Sequence, residues 1–472
     1  MRLCLRLQAI ILPDEAERPP VNRFLALRRR HRSEPVALGW TTFRLARAAI
    51  ASWFRALRLR RRARTAVLWR RLMRPDHVVA VTGSAGKSSA VGLIALVLGT
   101  RAPTHVSIGF NTAGAIAKNM ARARRRHRFW VSEVSGHAPG AIDMVAGFLG
   151  HDVAVVTTIG LDHYRNFRSR EAVAAEKGRL VELLPSGGLA VLNADEPLIL
   201  AMRDRSVARV LTFGRSAAAD IRLLSCEGRF PEPLRLEIED GEGVTAVRTQ
   251  MVGERWATVV LAAFAVGRGL GIPAGECARA VAAWQPHPWR DSVHAYANGS
   301  TIVADTYKAP HWSLASSLAI VRDARADRKT IVVGTMSDIG GTTRTKYLNV
   351  AREALDVADR VIFVGQQSER VGRLRAMAEG RLLTFERVEE LAAHLSATAV
   401  PGELIYLKGS LSDHLERVVL DALEPIACWV EACEVRTSCV ACRRLYHDGR
   451  RAPEGTMPTA RPASNGPGAS RA

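Results

Sequence analysis

A glycine turn set between a buried strand and a helix constrains this chain more than any other feature. His77–Val81 reads as a short buried strand and Lys87–Leu98 as a helix. The run Thr82-Gly83-Ser84-Ala85-Gly86-Lys87-Ser88-Ser89 leads from one into the other. Glycines let backbone N–H groups close around phosphate oxygens, and a helix N-terminus adds positive potential. In such a loop Lys87 reaches the β- and γ-phosphates and Ser88 holds Mg²⁺. The spacing G-x-x-G-K-S is two residues shorter than the common P-loop. A tight turn with no nucleotide is the plainer alternative; the flanking strand and helix favour phosphate.

The rest of the body repeats the strand–helix alternation. Phe129–Glu133, Asp152–Thr157 and Leu189–Leu192 read as buried strands, with a helix over Arg170–Leu183. This predicts an α/β fold with a doubly wound, largely parallel sheet. Residues 220–250 alternate and are more polar, which predicts antiparallel strands. A helical pair, Trp256–Leu270 and Ala274–Trp284, closes this central domain at 77–292. Pro286-His287-Pro288 is a hinge. Strands at Thr301–Ala304, Thr330–Val333, Arg360–Val364 and Leu404–Leu407 then define a Rossmann-like C-terminal domain, 293–425. A Cys-containing segment and a disordered tail, 426–472, follow.

Charge is concentrated at the front. Sixteen arginines and one glutamate between Arg23 and Arg74 carry +15 of the net +21. Within this basic N-terminal extension, 1–76, Phe43, Ala46, Ile50, Trp53, Phe54 and Leu57 recur at helical spacing, with Arg44, Arg47, Arg55, Arg58 and Arg62 toward another face. Two readings of this basic amphipathic helix stay open: attachment to an anionic membrane surface, or packing on the body. Met1–Leu12 is apolar but broken by Arg6 and Gln8. It reads as a short strand, not a signal peptide, and no run is long enough to span a membrane. The isolated Cys4, Cys226 and Cys277 suit a reducing cytoplasm. Cys428, Cys433, Cys439 and Cys442, with His447 nearby, contain a single C-x-x-C pair. Free or redox-active thiols are favoured there over zinc.

The shortened loop resembles the T-G-[ST]-x-G-K-[ST] loop of Mur ligases, and further matches follow in that family's order. Gly109-Phe110-Asn111-Thr112-Ala113-Gly114 is similar to G-N-F-N-N-x-I-G of the branch that adds D-alanyl-D-alanine to the muramoyl tripeptide. Glu133 with Pro139-Gly140 resembles E-x-G-x-x-x-P-G, and Thr158 to His163 resembles N-I-G-x-A-H. Glu176-Lys177-Gly178 resembles a-K-x-E, and Leu192-Asn193-Ala194-Asp195 resembles L-N-x-D. Asp305-Thr306-Tyr307 resembles D-S-Y, Gly334 to Gly340 resembles G-D-M-x-E-L-G, and Lys408-Gly409-Ser410 resembles K-G-S.

The resemblance covers about residues 77–423. It implies an ADP-forming ligase that activates a carboxylate as an acyl phosphate and joins it to an amine. It implies ATP and two Mg²⁺ ions as cofactors, with Ser88, Glu133, His163 and a carbamylated Lys177 as metal ligands. By the same likeness Lys87, Lys177, His163 and Arg290 are catalytic. Arg290 meets the γ-phosphate, Asp305 the ribose hydroxyls, Asn193 the nucleotide, and Asn111 and Lys408 the substrate.

Three departures qualify it. Gly253-Glu254-Arg255-Trp256 replaces G-x-H-N, with Val259 where an adenine-contacting Asn is expected. Tyr307 to His311 replaces Y-N-A-N-P. The N-terminal domain that binds the UDP-sugar peptide is not recognisable. The favoured expectation is therefore a ligase acting on a carboxylate other than the usual UDP-muramoyl tripeptide. The alternatives are a divergent D-alanyl-D-alanine-adding ligase of peptidoglycan synthesis and a membrane-attached polymer ligase of the poly-γ-glutamate or cyanophycin type. Of other classes, a nucleic-acid-binding P-loop ATPase leaves Glu133, His163 and Lys177 without a reason to co-occur, and a non-catalytic binding protein leaves the metal residues unexplained. A cytoplasmic monomer is expected, with peripheral attachment to the inner membrane face through the Arg-rich helix. Its partners are a small-molecule or peptide carboxylate and an amine or amino acid, with no nucleic acid.

Overall fold

The computed structural model describes residues 35–164, 166–296, 298–431, 433 and 438–449. The strand expected over Met1–Leu12, the position of Cys4 and the disordered tail lie outside the described residues.

A 39-residue helix, α1 (Pro35–Met73), leads into the central domain. There the elements run β1 (His77–Thr82), α2 (Lys87–Gly99), β2 (Thr104–Ser107), α3 (Ala113–Met120), β3 (Phe129–Glu133), α4 (Ala141–Leu149), β4 (Val153–Val156), α5 (Arg170–Glu182), β5 (Leu189–Asn193), α6 (Pro197–Leu200) and β6 (Arg209–Gly214). Three further strands, β7 (Ile221–Glu227), β8 (Arg235–Asp240) and β9 (Gly243–Arg248), precede α7 (Ala257–Gly269) and α8 (Ala274–Ala283). Nine strands form one sheet in the order β2-β3-β1-β4-β5-β6-β7-β8-β9. It is parallel from β2 to β7 and antiparallel through β8 and β9.

Strands buried on both faces need helices on both. Val79, Val81, Val155 and Val191 pack under α2, α7 and α8, whereas Val78, Ala80, Val156 and Leu192 pack under α3, α4 and α5. That explains why these strands read as unbroken apolar runs.

The C-terminal domain runs β10 (Ser292–Ala295), β11 (Thr301–Asp305), α9 (Leu314–Asp323), β12 (Arg328–Val333), α10 (Thr343–Leu355), β13 (Arg360–Val364), β14 (Leu382–Phe385), α11 (Val388–Thr398), β15 (Glu403–Lys408) and α12 (Glu416–Leu423). Its six strands are ordered β10-β11-β15-β12-β13-β14, with only the β10 edge antiparallel. This second sheet already includes Ser292, one residue before the boundary expected from sequence.

Of the two readings of α1, packing on the body holds for its C-terminal part. Toward its C-terminus Ala66 and Met73 are buried in the central core, with Ala63, Val67 and Trp69 packed beside them. Trp69 Nε1 donates to the Ala123 carbonyl at 3.2 Å. Ile50, Trp53, Phe54 and Leu57 are exposed, as are Leu68 and Leu72 further along. Among the described residues no helix is long and apolar enough to cross a membrane.

Candidate active site

Parallel strands that wind in both directions open a crevice beyond their carboxyl ends. The order β3-β1-β4-β5 puts the chemistry-bearing residues there: Thr82 ends β1, Glu133 ends β3, Asn193 ends β5, and Thr157–His163 follows β4. The glycine loop turns directly into α2. Gly86 is its N-cap at φ 77°, and a Cβ there would also lie 2.7 Å from Val259 Cγ1, so glycine is required twice over. Ser84 Oγ donates to Asp162 Oδ1 at 2.9 Å, and Ala85 N donates to Thr158 Oγ1 at 2.9 Å. The loop is thereby fastened to the segment after β4. Ser89 is buried in the first turn of α2.

Glu133 is the hub of one half of the site. Its Oε2 accepts from Ser88 Oγ at 2.7 Å and from Gly109 N at 3.3 Å, and its Oε1 accepts from Asn111 Nδ2 at 3.0 Å. Burial opposes its charge, but Lys87 and the hydrogen bonds from Ser88 and Asn111 outweigh that and hold its pKa below the usual range. Arg290 reaches across from the hinge: its Nη2 lies 3.3 Å from Ser88 Oγ, and its guanidinium stacks 4.0 Å from the Tyr307 ring centroid. Lys87 Nζ donates to the Gly83 carbonyl at 2.6 Å, and burial, aided by the charge of Lys177, lowers its pKa to about 8.

Asp162 is the hub of the other half. It is 1 % exposed, and its Oδ2 lies 3.4 Å from Lys177 Nζ and 3.8 Å from His163 Nε2. Burial lowers the pKa of both Lys177 and His163, with Asp162 opposing. A neutral imidazole can ligate a metal, and a lysine driven toward its neutral amine can add CO₂. Glu176 anchors this half from below: its carboxylate accepts from Gly140 N and Ile142 N, each at 2.9 Å, and so caps α4 while Lys177 points inward.

Asn193 donates to the Thr157 carbonyl at 3.0 Å and accepts from Asp195 N at 3.0 Å, so its amide braces the loops. Asp305 and Lys408 stand apart from the glycine loop, in a buried ionic cluster at the ends of β11 and β15. Lys408 Nζ donates to Asp305 Oδ2 at 2.6 Å, and Arg255 Nη2 donates to the same oxygen at 2.7 Å. Arg255 also donates to Asp291 Oδ2 through Nε at 2.8 Å, and Tyr406 donates to Asp291 Oδ1 at 2.6 Å. The residue that breaks the G-x-H-N pattern thus ties the central domain to the C-terminal one.

Sequence reasoning gave Asp162 and Glu176 no role of their own; an acidic residue directly before His163 was the available signal. It also missed Lys308, whose Nζ lies 3.4 Å from Asp338 and whose charge depresses the pKa of Lys177 and His163. Beside Arg255, a cleft of about 770 Å³ opens between the domains, lined by Asp195, Gly253, Glu254, Thr258, Ser316 and Ile320 among others.

Residues 81–267 match the Mur ligase middle domain, and residues 290–411 match the Mur ligase, glutamate ligase domain. The chain is a member of the Mur ligase family, and with it an ATP-dependent, ADP-forming ligase. Among curated relatives it is 28% identical to the UDP-N-acetylmuramoyl-tripeptide–D-alanyl-D-alanine ligase of Mycobacterium leprae, over 71% of this chain and 71% of that one. It is 25% identical to the enzyme of the same name from Bacillus subtilis, over 74% and 76% of the two chains. Of solved structures, MurF ligase from Thermotoga maritima in complex with ADP superposes with a TM-score of 0.69 at 22% identity, covering 77% of this chain and 82% of that one. A MurF structure from Acinetobacter baumannii gives 0.70 at 21% identity, covering 76% and 79%. These likenesses establish the fold. Of the substrate readings weighed from sequence, the relatives favour the D-alanyl-D-alanine-adding branch over the expectation of a different carboxylate.

Proposed function

We propose that this chain joins a peptide carboxylate to the amine of D-alanyl-D-alanine or a similar dipeptide, as its relatives' names describe for them. The observation that carries this is the contact of Asn111 with Glu133. The segment resembling that branch, Gly109–Gly114, thereby bears directly on the hydroxyl–carboxylate pair at the glycine loop.

The residues fit nucleotide and metal. Arg290 Nε and Thr82 Oγ1 are buried without a hydrogen-bond partner, and both belong to the site. Ser88 and Glu133 on one side, and His163 with Lys177 on the other, would hold Mg²⁺, which neutralises phosphate charge when bound. The 770 Å³ cleft takes the nucleoside end of ATP. Lys87 and the loop amides hold the β- and γ-phosphates, and Arg290 moves from Ser88 onto the γ-phosphate. A substrate carboxylate oxygen attacks the γ-phosphorus, and the bond to the β-phosphate oxygen breaks to release ADP. The amine nitrogen then attacks the acyl carbon; phosphate and a proton leave as the amide forms. Lys177, as a carbamate formed by its neutral amine with CO₂ and loss of a proton, supplies an anion beside Asp162. Lys408 meets the carboxylate by exchanging Asp305 for it.

A second reading is favoured by α1. A basic helix stands in the residues preceding the catalytic body, and its outward stripe fits an anionic lipid surface. Ile50, Trp53, Phe54 and Leu57 follow i, i+3, i+4, i+7 spacing, and Leu68 returns to the same side about five turns on. Arg58, Arg60, Arg61 and Arg64 lie between them. On this reading the carboxylate is presented at the membrane. The deciding experiment offers D-alanyl-D-alanine with UDP-muramoyl tripeptide, or with the same peptide on lipid vesicles, and follows ADP and amide product by mass. Amide from the soluble tripeptide supports the first reading; amide only from the vesicle-borne peptide supports the second. ADP release with neither defeats both.

A further inference from the structure

We infer that His414, Glu416 and Cys439 form a structural site for a zinc-class divalent cation, outside the ligase centre. His414 lies in the loop after β15 at φ 54°, Glu416 opens α12, and Cys439 arrives more than twenty residues later on a short 3₁₀ turn, Cys439–Ala441. All three are buried, and their ligand atoms lie within 4.8 Å of one another. Among the described residues no other trio of His, Cys, Asp or Glu comes this close. Cys439 Sγ is 3.3 Å from His414 Nδ1, and His414 Nδ1 is 3.6 Å from Glu416 Oε1. Tetrahedral zinc, with Zn–S of about 2.3 Å and Zn–N or Zn–O of about 2.0–2.1 Å, requires ligand–ligand edges of roughly 3.3–3.6 Å.

A second observation points the same way. Glu416 is 0 % exposed, yet its Oε2 has no hydrogen-bond partner. A buried carboxylate with open lone pairs is costly unless a cation meets it. The neighbouring Arg417 is turned elsewhere: Nε to Cys439 Sγ at 3.3 Å, Nη1 to the Val430 carbonyl at 2.9 Å, and Nη2 toward Cys428 Sγ at 3.8 Å. An N–H group aimed at a metal-bound thiolate is the usual outer partner of such a ligand. Thiolate, imidazole and carboxylate together select a borderline ion over Mg²⁺ or Ca²⁺.

This set differs from the four-cysteine cluster that spacing brings to mind; Cys433 and Cys442 are not part of it. The site would staple the segment around Cys439 to the loop between Lys408 and α12. Asp413 in that loop already accepts from Ser410 N at 2.8 Å and Thr335 N at 2.9 Å. Binding releases the thiol proton, and nothing is oxidised or reduced.

The test uses the full chain, purified without chelator and dialysed against Zn²⁺ or Co²⁺. About one ion per chain should be retained at this site, and the Co²⁺ form should show a thiolate-to-metal charge-transfer band, which the cysteine-free ligase centre cannot give. Cys439→Ser should lose the band and Cys433→Ser should keep it. A band that survives in Cys439→Ser, or wild type with no band, overturns the inference. Should Cys439→Ser not fold, alkylation of wild-type Cys439 decides. Protection by Zn²⁺ that is reversed by chelator supports the site, and equal labelling in both overturns it.

Discussion

Lys408 and Asp305 are register partners at the ends of adjacent parallel strands, and their side chains meet at 2.6 Å. Burial opposes the Asp305 charge, but Lys408 and Arg255 win and lower its pKa to about 2. The stability it contributes is therefore complete above its unfolded pKa near 4 and lost as pH falls through about 2. Asp305→Asn should flatten the acid limb of a stability–pH profile measured by urea unfolding between pH 5 and pH 2. Lys408→Met should cost about 3 kcal/mol, the low end for removing one partner of a buried pair, because Arg255 remains. Equal urea midpoints for wild type and Lys408→Met would show the pair to be dispensable.

ATP turnover should yield ADP and phosphate, because a glycine loop opening a helix would set Lys87 against the β- and γ-phosphates. Chromatography of the nucleotide products checks this, and AMP as the main product defeats the acyl-phosphate route. Since burial lowers the Lys87 pKa to about 8, the ligand-free protein loses this cation as pH rises past that value. Nucleotide affinity should weaken by roughly tenfold per unit above it, once the ATP and Mg²⁺ titrations are subtracted. Lys87→Met should bind weakly with no such dependence.

Lys177→Ala should abolish turnover, and added bicarbonate should not restore it. A short carboxylic acid should restore part of it, by filling the place of the carbamate. Lys177→Glu should retain a trace, having the charge on a shorter arm. A Lys177→Ala rate unchanged across the Mg²⁺ range would remove the carbamate assignment and weaken that of His163.

Removing residues 1–57 should leave thermal stability and ATP turnover intact while weakening binding to anionic vesicles, since Ile50, Trp53, Phe54 and Leu57 go with it. Removing 1–74 should do more harm, because Ala66, Trp69 and Met73 cover the central core. Uncovering them should cost several kcal/mol, at about 25 cal/mol per Å² of apolar surface. Vesicle co-sedimentation at low and high salt, with a melting curve for each truncation, reads both effects. Equal vesicle binding by the 1–57 deletion would end the membrane reading.

The central sheet was legible because β1, β3, β4 and β5 are buried on both faces and leave apolar runs of three or four residues. The half-exposed edge β2 and the mixed β6 leave no such run, and neither was anticipated. The places of the glycine loop, after β1, and of Glu133, at the end of β3, were legible because each depends on the local sequence at its own strand end. The Asp305–Lys408 pairing was not, because it depends on the register of strands about a hundred residues apart. Arg255 could be seen only as a departure; that it bonds to Asp291 and Asp305 is a property of domain packing. For α1, periodicity found the helix but could not say which turns the body would cover.

Trp312, just past the segment that replaces Y-N-A-N-P, lies flat against the loop after β4. A Cβ on Gly160 would come within 2.9 Å of its Cδ2. An indole of the C-terminal domain thus rests on bare backbone of the central one, and the two meet here across the thickness of one ring. Any side chain at position 160 would act as a shim, pushing that ring away by the width of a methyl group.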